Sequence, residues 1–256
     1  MEKKNLFKTI KKWVLTLFII GVIVTLFRSS MNWCEYTELF QLDSVIVSGN
    51  SILPKSKIIE TAKIEMGKDL KDINLIPIRD QLEQLPYIKA VIVSKHFPNR
   101  LQIAIKERIP VCYINHKDLY LIDNEGIILP RPENFVTATL PVISGFNNDS
   151  LNYIYGNIVP NENLFEIVKL ITKTNIKAPE LYATISEIQF RPSKKDYIIY
   201  NINNGVPVFL GQDNLKQKMD RLAHFQIMLH NKRRLCDYKY IDLRWKSQII
   251  AKEKRS

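Results

Sequence analysis

The chain has 256 residues, 46% of them hydrophobic, enough to bury two small cores, which excludes a polypeptide disordered throughout. Its 37 lysines and arginines outnumber 26 aspartates and glutamates, giving a formal net charge of +11. Part of that excess (Lys3, Lys4, Lys8, Lys11, Lys12) abuts an apolar run, which points to a membrane rather than to nucleic acid.

That run, "WVLTLFIIGVIVTLF" from Trp13 to Phe27, carries no charge. About 15 residues rising 1.5 Å each reach about 22 Å against a hydrocarbon core of about 30 Å, so flanking residues up to Met31 and Trp33 must extend the span. A cleavable signal peptide has the same charge pattern, but "RSSMNWCEY" offers no small-residue cleavage site, and an uncleaved anchor is the expectation. The basic residues before the span place the N-terminus in the cytoplasm and everything beyond Arg28 outside it.

From Gln41 the pattern changes to short elements. "LDSVIVSGN" predicts a strand through Val45 and Val47, closed at Gly49-Asn50. A helix follows Pro54, with Ile58, Ile59, Ala62 and Ile64 at helical spacing and Gly67 as its stop. A second begins in the Asn74 region, burying Ile78, Leu82 and Leu85 and ending before Pro86. Two strands come next, alternating through Ile88, Ala90 and Ile92 and through Leu101, Ile103 and Ile105, with Pro98-Asn99 between them. This order predicts a compact α+β unit of three strands with two helices on one face.

From about Ile109 strands dominate. "DLYLIDNEGIILP" reads as a hairpin about "DNEG". A helix is predicted around Leu164–Thr174, strands in "TISEIQF" and "DYIIYNINNGVPVFLG" with an Asn204-Gly205 turn, and a helix after Asp213 through Leu215, Met219, Leu222 and Phe225. The closing "YKYIDLRWKSQIIAKE" reads as a last strand, with Ile241, Leu243 and Trp245 on one face and Asp242, Arg244 and Lys246 on the other. The expected architecture is a mainly antiparallel sheet carrying helices.

No chemistry-bearing pattern emerges. His96, His116, His224 and His230 are scattered, without metal-ligand spacing, and glycine-rich phosphate loops and nucleophile motifs are missing. Glu107 and Arg108 adjoin on a strand, so their side chains point to opposite faces and do not form an acid/base pair. No catalytic, cofactor-binding or metal-binding residue is assigned. Cys112 and Cys236 read as buried small apolar side chains, with a bridge between them left open.

The basic stub, single anchor, "VIVSGNSILP", the spacing Pro98, Leu101, Ile103, Ile105, Glu107, Arg108, Pro110, and "LYLIDNEGIIL" together resemble the FtsQ/DivIB family of bacterial division proteins over essentially the whole exported part. The resemblance implies a stub at 1–12, an anchor at 13–33 (Trp13, Phe27), a POTRA domain at 41–109, a β domain at 110–248 and a tail at 249–256. It implies no enzyme and no cofactor, but a scaffold at the division septum that binds FtsB/DivIC-like and FtsL-like small bitopic proteins. Through them it would help regulate the peptidoglycan synthase pair FtsW and FtsI. Other chains with POTRA domains suggest the alternative of a translocation or envelope-assembly component, and a membrane-anchored cell-wall enzyme is a further alternative.

Partner binding in the family uses strand addition at the last strands, which implies Tyr240, Asp242, Arg244, Trp245, Lys246, Ser247 and Gln248 here, with Lys194 or Lys195 as an auxiliary basic contact. Gln248 stands where the family often has glycine. Period-two counting puts Trp245 on the face of Leu243 and leaves core and partner both open for its ring.

Overall fold

The computed structural model describes residues 2–36 (side chains from Lys12, except Cys34 and Glu35), 38–132, 139–146, 152–202, 205–229 and 233–254. Asn204 and His230 fall outside them.

The chain opens with one helix, α1 (Glu2–Tyr36), whose segment Lys12–Trp33 is long and apolar enough to cross a membrane. Its 22 residues span about 33 Å, so the helix extends the apolar run past both ends to the thickness that Trp13–Phe27 alone did not reach. Trp13 and Phe27, near the two ends of that segment, are each 66% exposed.

The next module is the expected strand, two helices and two strands: β1 (Ser44–Ser48), α2 (Lys55–Ala62), α3 (Leu75–Glu83), β2 (Ile88–His96) and β3 (Arg100–Glu107). The sheet order is β1-β3-β2, with β1 parallel to β3. Ile58 and Ala62 of α2 and Ile78 and Leu82 of α3 are buried, the one-turn spacing that puts apolar side chains on one helix face. Helix α2 ends earlier than Gly67, because Lys63 turns into the left-handed region and donates its N–H to the Glu60 carbonyl. Gly49 is also left-handed (φ 83°), and a Cβ there would lie 2.0 Å from the Ile105 carbonyl oxygen.

One expected alternation fails. In β2 the buried residues are Ile88 and Val91, whereas Ala90 is exposed and Ile92 is 68% exposed. The chain divides into two compact units, and β2 passes between them: residues 83–90 belong with 106–256, and residues 91–105 with the first unit. Each end of the strand buries its own face, so one period-two phase does not serve both.

The second unit holds a nine-stranded sheet in the order β12-β11-β10-β9-β8-β7-β4-β5-β6. Its strands are β4 (Pro110–His116), β5 (Asp118–Asp123), β6 (Ile128–Leu129), β7 (Val142–Ser144), β8 (Ile185–Arg191), β9 (Asp196–Asn201), β10 (Pro207–Gly211), β11 (Tyr238–Asp242) and β12 (Ile250–Glu253). Five of its eight pairings are antiparallel. Two of the three parallel pairs arise where helices carry the chain across: α4 (Glu162–Lys177) and α5 (Pro179–Tyr182) connect β7 to β8, and α6 (Leu215–Leu229) connects β10 to β11; the third, β4 with β7, is reached through the β5–β6 hairpin. The Asn161 side chain caps α4 by accepting the Leu164 N–H at 3.0 Å. Leu164, Ile167, Val168 and Ile171 of α4 and Met219 and Leu222 of α6 pack into one core with Ile143, Ile188, Ile199, Val208 and Ile241.

The Glu-Arg pair of the sequence motif has two separate tasks in this unit. The Glu107 carboxylate accepts the N–H groups of Ser51, Ile52 and Leu53 at 2.8, 2.7 and 2.8 Å. Arg108 Nη1 donates to Asp123 at 2.7 Å and Glu125 at 2.8 Å. Asp123 is fully buried, and one of its oxygens accepts the N–H groups of Glu125 and Ile127, each at 2.8 Å, which folds the "DNEG" turn. Cys112 and Cys236 are both free and buried.

Candidate partner-docking edge

The structure divides the predicted final strand in two. β11 stops at Asp242, and β12 starts at Ile250 and returns antiparallel to it, pairing Tyr240 with Lys252, Ile241 with Ala251 and Asp242 with Ile250. The break has a local cause. The Asp242 carboxylate accepts its own chain's Arg244 N–H at 3.0 Å, an Asx turn that bends the backbone out of the ladder. It also receives Nε of Arg244 at 2.9 Å and its terminal nitrogen at 2.6 Å. The Arg244 guanidinium holds Asp242 below the usual carboxylate range. Gly211 (φ 77°) faces the arginine stem, where a Cβ would stand 3.2 Å from Arg244 Cγ.

β11 therefore lies inside the sheet, between β10 and β12. Tyr240 is half-buried with its ring edge-on to Phe209, and Asp242 is buried and occupied by Arg244, so neither presents a free backbone edge. Arg244, Trp245, Lys246, Ser247 and Gln248 are exposed in the turn. The Arg244 guanidinium lies over the Phe209 ring, 5.2 Å from its centroid. Trp245 leaves the face of Leu243: Leu243 is fully buried and Trp245 is 59% exposed, which removes the indole from the core. Arg221 on α6 donates to the Trp245 carbonyl at 3.3 Å and ties the turn to that helix.

The outermost strand is β12, from residues that the sequence pattern assigned to the end of a strand and to a tail. Instead of fraying, the chain is pinned there: the Lys254 N–H donates to the Asp237 carbonyl at 3.0 Å, its ammonium to the Cys236 carbonyl at 2.8 Å, and Arg233 pairs with Glu253. The extra residue in the ladder lies on β11, between Tyr238 and Tyr240, so β12 keeps its alternation. With the Lys254 N–H directed inward, the period of two turns the N–H and C=O groups of Ala251 and Glu253 outward.

The opposite edge of the sheet is covered. The Ile128 N–H donates to the Asn157 carbonyl at 2.9 Å, the Gly156 N–H to the Ile128 carbonyl at 2.8 Å, and Ile127 bridges to Ile158. Among the described residues nothing pairs with the outer edge of β12.

The two auxiliary lysines separate. Both stand in the β8–β9 turn, where Gln212 donates to the Lys194 carbonyl at 2.6 Å. Lys194 acts on Asp196, which is held low mainly by Arg191 and also feels Arg244. Lys195 instead lines a cleft beside α4. Among the described residues no group of three or more His, Cys, Asp or Glu side chains is placed to hold a metal.

A family profile described as "POTRA domain, FtsQ-type" matches residues 40–108, and one described as "FtsQ/DivIB, C-terminal related" matches residues 109–252, more than half the chain. The chain belongs to the FtsQ/DivIB family of cell division proteins. The cell division protein FtsQ of Geotalea daltonii is 29% identical over 85% of this chain and 77% of its own length. The cell division protein DivIB of Clostridium acetobutylicum is 29% identical over 78% of this chain and 82% of its own, and FtsQ of Syntrophotalea carbinolica 24% identical over 91% and 81%. An FtsQ/DivIB member with a POTRA module, a β-rich C-terminal module and one N-terminal helix suited to a membrane anchor is what the sequence motifs led one to expect.

Proposed function

We propose that this FtsQ/DivIB protein is a non-catalytic scaffold of the division septum, anchored by α1 with its N-terminus in the cytoplasm, whose nine-stranded sheet accepts one strand from a small bitopic partner of the FtsB/DivIC type. An FtsL-like protein joins the same assembly, and through both the scaffold helps place and regulate the FtsW and FtsI synthase pair. The observation that carries this reading is the edge of β12, the end of the sheet where nothing pairs with the outer strand among the described residues. Strand addition draws affinity from main-chain hydrogen bonds and specificity from side chains beside the edge, here Trp245, Lys246 and Lys252. The docking strand thus moves from Tyr240–Gln248 to Ile250–Glu253, with the exposed turn as its flank.

Co-purification from membranes tests this. Tagged full-length protein is expected to recover a small bitopic division protein, and Ala251→Pro, which removes an outward donor, is expected to lose it by about tenfold or more. A far-UV circular dichroism spectrum and urea midpoint unchanged from the parent show that the variant is folded. Undiminished recovery with Ala251→Pro would reject strand addition at β12.

A further inference from the structure

A second feature of the β domain has no part in strand addition. A cleft of about 710 Å³ opens between α4, the β8–β9 turn and the start of α6, lined by Lys169, Lys173, Lys195 and Lys216 with Phe190 and Leu215 among its apolar walls. The one carboxylate in its lining, Glu166, is engaged by Lys169 at 3.0 Å. Lys173 on α4 and Lys216 on α6 both line this cleft, so two ammonium groups, each a donor only, face one concavity. Lys177 adds a further positive charge, opposed by Asp220. The neighbouring ammonium of Lys216, with desolvation and Lys177 after it, pushes the Lys173 pKa down. None of Lys173, Lys177, Lys195 and Lys216 is in an ion pair among the described residues.

A solvated lysine on a helix turns away from its like-charged neighbours, at little cost in rotamer freedom. Here cations from two helices and a turn converge on one concavity. An anion seated between Lys173 and Lys216 would accept from both and relieve the repulsion. Phosphate fits best: it presents several acceptor oxygens and more than one negative charge to lysines spread around the site, for which a point-charge donor is suited. The volume and the Phe190 and Leu215 walls leave room for an organic group attached to it.

We propose that this cleft binds a phosphate-bearing anion, held by Lys173 and Lys216 with Lys195 at the rim. The site is independent of the β12 edge, so either reading stands if the other falls.

The test uses the full chain in nanodiscs of zwitterionic lipid, titrated with inorganic pyrophosphate by calorimetry at low salt. The expected result is saturable binding that falls by about tenfold or more in Lys173→Gln/Lys216→Gln, and that is unchanged in the charge-matched control Lys57→Gln/Lys68→Gln. In discs doped with phosphatidylglycerol, loss of pyrophosphate binding by the parent identifies a lipid headgroup as the occupant, and unaltered binding identifies a soluble phosphate ester. No saturable heat at millimolar pyrophosphate, or equal binding by the cleft variant and the parent, overturns the proposal.

Discussion

Replacing Arg108 by methionine keeps the length and apolar stem of the side chain and removes the one cation that, among the described residues, pairs with the fully buried Asp123. The carboxylate keeps the N–H groups of Glu125 and Ile127, and Glu125 keeps Lys89 at 2.7 Å, so the damage centres on the Asp123 oxygen that faced the guanidinium. Removing one partner of a buried ion pair costs about 3–5 kcal/mol, and the two remaining N–H bonds place this case near about 3 kcal/mol. With a urea dependence of about 1–3 kcal/mol per molar, the midpoint falls by about 1–3 M. Trp245 shares its compact unit with Arg108, and in a Trp13→Phe/Trp33→Phe background it is the sole tryptophan to follow. In the double variant with Asp123→Asn, one amide oxygen still accepts both backbone N–H groups and no charge is left buried, so the double variant is expected to lose clearly less than the two single losses combined. A loss below about 1 kcal/mol for Arg108→Met, the range of exposed ion pairs, would refute the reasoning.

Gly49→Ala is expected to cost about 2–4 kcal/mol, because the new Cβ would meet the Ile105 carbonyl oxygen at 2.0 Å and the backbone is left-handed; a urea midpoint at the parent value would contradict this. Burial raises the Cys112 thiol pKa, so maleimide is expected to label Cys112 only as the domain opens, at the rate at which urea unfolds it, and not on mixing with the folded protein. The pKa of Asp242 is lowered in the fold by Arg244, so its contribution to stability is present above the ordinary carboxylate value of about 3.9 and is lost as pH falls through the lower folded value. Asp242→Asn should therefore lower stability at pH 7 and flatten the acid limb of the stability curve, read from urea midpoints between pH 7 and pH 2.

Much of the fold was legible because local chemistry and tertiary packing agree. Ile58 and Ala62, Ile78 and Leu82, and Leu101, Ile103 and Ile105 bury the faces their spacing marks. The misread places are those where another interaction overrides periodicity. In β2 the strand serves two units, so Val91 rather than Ala90 or Ile92 is buried. At the C-terminus the alternation of "IDLRWK" continues in sequence after the strand has ended in space, because Asp242 bonds the N–H two residues on. An aspartate followed by the polar run "KSQ" was the available signal for a turn, and "IIAKE" beyond it was the signal for a further strand. Sheet order is not encoded in any window of the sequence. Only pairing showed that β11 is interior and that Ala251 and Glu253 face outward.

Residue-resolved amide hydrogen exchange on the full chain, free and with its small bitopic partner bound, tests the central claim most directly. If a partner strand pairs with β12, the outward N–H groups of Ala251 and Glu253 exchange rapidly in the free protein and become protected in the complex, while Lys252, already paired with β11, changes little. Equally rapid exchange at Ala251 and Glu253 in a saturated complex would show that the partner binds elsewhere.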